Sequence, residues 1–347
     1  MKPPVSEPDE HRLDAVLRRY EPVCGPLRIE PTPLGEPGFS GARIFRCVAG
    51  RQFFCLRVWP AGTDPERVRW IHKVLDHVAR SGAHFVPVPV RTADGRTLVC
   101  DGGSVYHLEP WMAGRPCLQE ETEPPLVQHA IDATAEWHRL AAGGPHPADR
   151  PSGTGPSAIV EARRRMLHRL LALRKAGAFG RLHDAQPSFR ALATAVLSAL
   201  DEYGPRMSRL LETACTWRVP RQPIVRDLRC QHFLFIEDRL NALIDYGATC
   251  IDTVACDLAR LLATLPPLNT ADRERWLNRY ARLRTLTPLE RRLVDLLEAS
   301  GTLLSGANWV RRYCEEREPV DDSPAVLQRM QSIARHLPDL PILLDRL

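Results

Sequence analysis

The chain has 347 residues, 44% of them apolar and 26% charged, and a net charge of +5. That is ordinary for a folded protein and long enough for two domains or one two-lobed domain. It carries no run of ~18 apolar residues for a membrane span, no basic block with interleaved aromatics for a nucleic-acid partner, and no apolar core after Met1 for a secretion signal, so a cytoplasmic protein is expected.

Residues 8–21 read as a helix with Leu13, Val16, Leu17 and Tyr20 on one face. A break over 22–33 leads into a short strand. Residues 34–41, Leu-Gly-Glu-Pro-Gly-Phe-Ser-Gly, lie between that strand and the run 43–48. They fit either a common hairpin turn or a loop whose backbone N–H groups cradle phosphate through Gly38, Ser40 and Gly41. The next strand, 51–59, alternates and carries Arg57. Arg57 reads as a solvent-facing strand cation or as a phosphate ligand, since a guanidinium is always charged and can hold phosphate bidentately.

Residues 64–80 form a helix with Val68, Ile71, Leu75 and Val78 inward, and Glu66 and Asp76 as its acids. Val86-Pro87-Val88-Pro89 leads to a further strand, Asp94-Gly95 to a turn, and 97–100 and 104–108 to two more strands. About five strands and one helix thus precede residue 110. From 124 onward the periodicity is helical: 125–140, 156–176, 187–213, 252–265, 270–283, 287–316 and 322–336, with a Gly- and Pro-rich surface loop over 143–155. His72, His77, His129, His138 and His168 fall on helices without ligand spacing and read as packing or surface residues. Ten cysteines lack any Cys-x-x-Cys pair, and Cys47, Cys55, Cys100, Cys215 and Cys256 lie in apolar runs; buried thiols in a reducing compartment are expected.

The informative stretch is 224–262. Short apolar runs end in Arg226-Asp227 and in Asp245-Tyr246-Gly247, and 233–236 and 240–244 flank the polar turn Glu237-Asp238-Arg239 as a hairpin. The hairpin places Asp227 and Asp245 on loops at the same end. A helix follows, with Asp252 as its cap and Asp257 as an inward acid. Paired loop carboxylates suit magnesium, which takes carboxylate oxygens plus substrate phosphates. Either aspartate alone is a common loop residue.

The order Asp, hairpin, Asp-aromatic-Gly, helical Asp resembles the aminoglycoside phosphotransferase and choline kinase-like family, relatives of the protein kinases. That family's catalytic loop reads His-Gly-Asp-x-His-x-x-Asn and its metal loop Ile-Asp-Phe-Gly. By this resemblance Asp227 is the catalytic base, Asp245 the Mg²⁺ ligand and Asp257 a structural acid. Arg57 stands for the phosphate-binding strand cation, and the backbone near Glu109 and Trp111 meets adenine. Val225 replaces the His, Arg226 the Gly, and His232 the metal-binding Asn.

The resemblance implies a two-lobed, protein-kinase-like α+β fold. Its small antiparallel-sheet lobe spans 1–110, and its large, mainly helical lobe spans 111–347 with the catalytic hairpin at 224–247. It implies an ATP- and Mg²⁺-dependent kinase of a small-molecule hydroxyl, with Mn²⁺ favoured if His232 binds the metal. Only eleven residues separate Asp245 from Asp257, so a peptide-binding activation segment has no room. The substitutions in the loop admit a second reading, a kinase-fold scaffold that binds nucleotide without turnover.

Overall fold

Alternating side chains over 43–58 dictate two strands. In the computed structural model they pair as β2 (Arg43–Ala49) and β3 (Gln52–Val58), turning at Gly50 with Ala49 opposite Gln52. The structure describes residues 10–30, 41–117, 123–147, 153–265 and 270–347. They fall into two units: residues 1–117, 139–149 and 231–247, and residues 118–138, 150–230 and 248–347.

The first unit is built on an antiparallel five-stranded sheet. Its order is β1 (Arg28–Ile29), β2, β3, then β5 (Ser104–Pro110) and β4 (Val99–Asp101). One face packs Tyr20, Cys47, Leu56, Tyr106 and Leu108 with Leu13, Val16 and Leu17 of α1 (Glu10–Leu17). The helix expected over 8–21 stops at Leu17 and resumes as a single turn, α2 (Glu21–Cys24), with Pro22 in its first turn. Helix α3 (Pro65–Arg80) begins where the Asp64 side chain accepts Glu66 N–H at 2.9 Å, and it buries Val68, Ile71, Val74, Leu75 and Val78. No strand forms over 86–96. Pro87 and Pro89 have no N–H to give, and Val90 makes one backbone bond, to Leu108 O. A second sheet orders β10 (Arg239–Leu243), β9 (Phe233–Ile236) and β6 (Arg115–Pro116), the first two being the expected hairpin.

The second unit is mainly helical: α4 (Pro124–Ala141, whose last turn belongs to the first unit), α5 (Ala158–Lys175), α6 (Pro187–Ala214), α7 (Ala255–Leu262), α8 (Thr270–Leu283), α9 (Pro288–Cys314), α10 (Pro324–Arg335) and α11 (Leu340–Asp345). Its one described sheet orders β11 (Cys250–Asp252), β8 (Val219–Ile224) and β7 (Gly153–Gly155). Helix α9 is the spine. Thr287 and Glu290 close a reciprocal capping box at its start, and Leu293, Leu296, Leu297, Leu303 and Val310 are buried along it. Each such side chain contributes about 1.5–3 kcal/mol by leaving water.

Asp252 does not cap α7. Its Oδ2 accepts Ile159 N–H at 3.0 Å at the start of α5, and Val254 occupies the cap position of α7. All ten cysteines are described and none forms a disulfide. Cys47, Cys55 and Cys256 are buried as expected, whereas Cys100 is exposed and Cys215 half-buried. Among the described residues no helix is long and apolar enough to cross a membrane.

Candidate active site

In the helical unit, the chain leaving β8 turns sharply at 225–229. The buried carboxylate of Asp257, on α7, holds that turn. Its Oδ2 accepts Val225 N–H at 2.7 Å and its Oδ1 accepts Arg226 N–H at 2.6 Å. Oδ2 also lies 3.0 Å from His138 Nε2. A carboxylate only accepts, so His138 carries its proton on Nε2 and accepts from Tyr280 OH at Nδ1, 2.8 Å away. Burial lowers the pKa of His138 against the opposing pull of Asp257, which keeps the ring neutral. Arg226 takes φ +72°, a left-handed conformation rare for a residue with a Cβ. Asp227 follows, about one-third exposed, with Oδ1 accepting from Arg229 Nε at 3.1 Å and Arg260 Nε at 2.8 Å.

In the sheet-bearing unit, Asp245 follows β10 with φ +66° and keeps a carboxylate 42% exposed. The buried Arg57 donates to its Oδ1 at 3.2 Å, and His232 Nε2 lies 3.8 Å from its Oδ2. Antiparallel register puts Cys55, Arg57, His107 and Glu109 on one face of the sheet, because Arg57 pairs with His107 and Cys55 with Glu109. Trp59 Nε1–H donates to His107 Nδ1 at 2.8 Å, so His107 holds its proton on Nε2 and donates it to Glu109 Oε2 at 3.3 Å. Burial raises the Glu109 pKa, but the His107 bond and the Arg57 charge outweigh it, and the carboxyl sits below its ordinary range. Burial also disfavours the Arg57 charge, and Glu109 and Asp245 overrule it, holding the guanidinium above its ordinary value. The result is a permanently cationic Arg57 beside an accessible carboxylate.

Residues 33–294 match the model of the phosphotransferase enzyme family. The chain belongs to that family. No curated protein sequence matches it, but many solved structures do. The chain is similar to the amicoumacin kinase hAmiN, seen with AMP-PNP, Ca²⁺ and Ami, at 13% identity and TM-score 0.58, over 90% of each chain. It is similar to a microcompartment-associated aminopropanol kinase at 16% identity and TM-score 0.60, over 96% of this chain and 98% of that one. It is also similar to the spectinomycin phosphotransferase APH(9)-Ia, seen with ADP and spectinomycin, at 9% identity and TM-score 0.61, over 92% and 93%. These likenesses establish the kinase-like α+β fold.

The residues singled out in the sequence fall as follows. Asp245, Arg57 and His232 are gathered in one cluster. Glu109 turns its side chain into that cluster, and Trp111 donates its backbone N–H to Phe53 O at 3.0 Å. Gly38 and Ser40 lie outside the described residues; Gly41 adopts φ +71°. Neither acid of α3 reaches Arg57: Glu66 pairs with Arg69 and Asp76 with Arg80. Glu109, two residues along the neighbouring strand, is the acid whose charge acts most strongly on Arg57. Among the described residues no three or more His, Cys, Asp or Glu side chains gather as a metal cage.

Sequence reasoning missed the surroundings of Asp227. It lines a cavity of about 510 Å³ in the helical unit, walled by α5, α7, α9 and α10. Arg163, Arg226, Arg260 and Arg329 face that space. Arg260 was legible as the residue one helical turn after Asp257. Arg163 and Arg329 lie far from the motif in sequence and carry no local signal.

Proposed function

We propose that this phosphotransferase moves the γ-phosphoryl group of ATP to a hydroxyl of a small molecule in the cytoplasm. One observation carries the reading: Asp227 presents a carboxylate at the wall of a roughly 510 Å³ cavity, on a turn whose backbone a buried acid fixes. A positioned carboxylate can orient an acceptor hydroxyl and take its proton as the bond to phosphorus forms. Nucleotide use is supported by relatives of the same fold seen with AMP-PNP and with ADP.

The donor groups of the other cluster fit magnesium completed by phosphate oxygens. Asp245 offers a hard carboxylate that is 42% exposed, and magnesium needs only one or two such ligands beside the phosphates. A bound magnesium would neutralise charge on the transferring phosphoryl group. Arg57 contributes a second, permanent positive charge, pre-aimed by Asp245 and Glu109. Manganese is the alternative ion, since His232 adds a nitrogen near Asp245.

A second reading has its own observation. Both Arg229 and Arg260 bond Asp227 Oδ1, which suits a structural ion pair in a nucleotide-binding scaffold. Incubation of the protein with ATP, Mg²⁺ and a pool of hydroxylated metabolites, read by mass spectrometry, separates the two. A new phosphorylated product that falls by about 10²–10⁴ in rate in Asp227→Asn supports transfer. ATP-dependent thermal stabilisation with no product across the pool supports the scaffold.

A further inference from the structure

We propose that the cavity beside Asp227 is an acceptor subsite for a hydroxylated small anion, a phosphate monoester or a carboxylate, gripped by Arg329, Arg163 and Arg226. The word acceptor rests on the phosphotransferase reading above; the anion preference rests on the cavity alone.

Four arginines line the space against two carboxylates, Asp227 and Glu298. Both carboxylates are already engaged. Asp227 bonds Arg229 and Arg260, and Glu298 bonds Arg273 at 2.7 Å. Three cations therefore face the cavity without a carboxylate of their own. Arg163 donates to Leu297 O and Ser300 Oγ, and a Cβ on Gly301 would come within 3.3 Å of its Nη1, so α9 leaves room for it. Arg226 is exposed on the left-handed turn. Arg329, half-buried on α10, makes no hydrogen bond or ion pair with any described residue.

Elsewhere the same unit pairs its buried arginines. Arg273 meets Asp295 and Glu298, and Arg284 meets Glu290. Arg163 also lacks a carboxylate but bonds Leu297 O and Ser300 Oγ; Arg329 has neither kind of partner among the described residues, and its isolation has a cost. Burial, then the like charges of Arg260 and Arg229, push its pKa down to about 9, still protonated at neutral pH. A desolvated guanidinium beside other cations is destabilising until an anion enters. A phosphate or carboxylate suits the fork geometry of arginine, which binds such groups bidentately. Thr302, Ser305 and Asn308 line the α9 wall and suit a hydroxylated body. Amines such as aminopropanol are cations at neutral pH, and this wall repels them.

The test is calorimetry on the full chain without nucleotide or metal, using glycerol 3-phosphate, glycerate and 1-amino-2-propanol. One of the two anions is expected to bind, and which one tells phosphate from carboxylate. The amine is expected not to bind. Arg329→Met should weaken anion binding at least tenfold and raise the ligand-free melting temperature, because it removes an unpaired charge. Arg226→Gln, at an exposed position that leaves packing intact, should weaken it at least threefold. The inference is overturned if neither anion binds, if Arg329→Met binds like wild type or melts lower without ligand, or if the amine binds in preference. Anion binding without phosphate transfer would count against the enzyme reading alone. Transfer to the amine without anion binding would count against this inference alone.

Discussion

Asp257 holds the backbone of Arg226 in a left-handed turn: its Oδ1 accepts the Arg226 N–H at 2.6 Å, while the residue sits at φ +72°. A side-chain-bearing residue in that region costs about 1–2 kcal/mol, and it persists only where the surroundings over-determine it. Here the second oxygen takes Val225 N–H and His138 completes the set, so three donors converge on one buried carboxylate. The turn that presents Asp227 is thus fixed from beneath by helix α7 rather than by its own residues.

Glycine at 226 is therefore expected to relax the turn. Arg226→Gly removes about 1–2 kcal/mol of conformational strain and adds about 0.4–1 kcal/mol of unfolded-chain entropy. Urea unfolding should show a net gain of roughly 0.5–1 kcal/mol. Arg226→Val should lose at least about 1 kcal/mol, since a branched Cβ tolerates the left-handed region worst. A glycine variant clearly less stable than wild type would mean that the Arg226 side chain supports the fold.

Asp257→Asn should be severely destabilising. The amide keeps one acceptor but turns an N–H₂ toward a backbone N–H, leaving a buried donor without a partner. A loss of about 2–4 kcal/mol is expected. Unfolding midpoints of wild type and variant at pH 7 check it, and a loss below about 0.5 kcal/mol would show that the turn stands on its own contacts.

The carboxylate positions were legible because each ends an apolar run at a turn, and the family resemblance implies their roles. The antiparallel sheet and the long helices were legible from periods of two and 3.6. What escaped was register and distance. Glu109 became Arg57's acid because β5 pairs with β3 so that Cys55 faces Glu109, which alternation alone does not reveal. Asp252 was placed at the wrong helix because the donor it accepts from, Ile159 N–H, is 93 residues away. Arg329 joined Asp227 in one cavity through packing of α10, 102 positions further along the chain.

His232→Asn is expected to strengthen magnesium-supported nucleotide binding. His232 Nε2 stands 3.8 Å from Asp245 Oδ2, and by the family resemblance this softer nitrogen stands in place of an amide oxygen. Restoring an oxygen should raise ATP affinity in Mg²⁺ by about tenfold, the scale of ~1.4 kcal/mol, and shift ion preference from Mn²⁺ toward Mg²⁺. Calorimetry with each ion checks this; an unchanged Mg²⁺ to Mn²⁺ ratio would make His232 a packing residue.

His72 gives the fold an acid sensitivity with a definite window. The ring is 3% exposed, its Nδ1 lies 2.9 Å from Thr97 Oγ1, and its edge meets the His107 ring at 4.7 Å. Burial, then the neighbouring His107, push its pKa down to about 2. The folded protein thus refuses a proton that the unfolded chain takes near pH 6.5. Stability from this residue is complete above that pH and declines below it by ~1.4 kcal/mol per pH unit, about 2 kcal/mol by pH 5. His72→Gln keeps a partner for Thr97 and cannot titrate, so its stability should fall less between pH 7 and pH 5. The difference in slope should approach 2 kcal/mol over that interval. Part of the slope should remain, because His138 is lowered by burial in the same sense. The carboxyls held low, Glu109 among them, lose their contribution only at more acid pH and do not blur the window. Equal slopes for wild type and variant would mean that the folded protein admits a proton at His72, by water entry or by opening of the α3 packing around it.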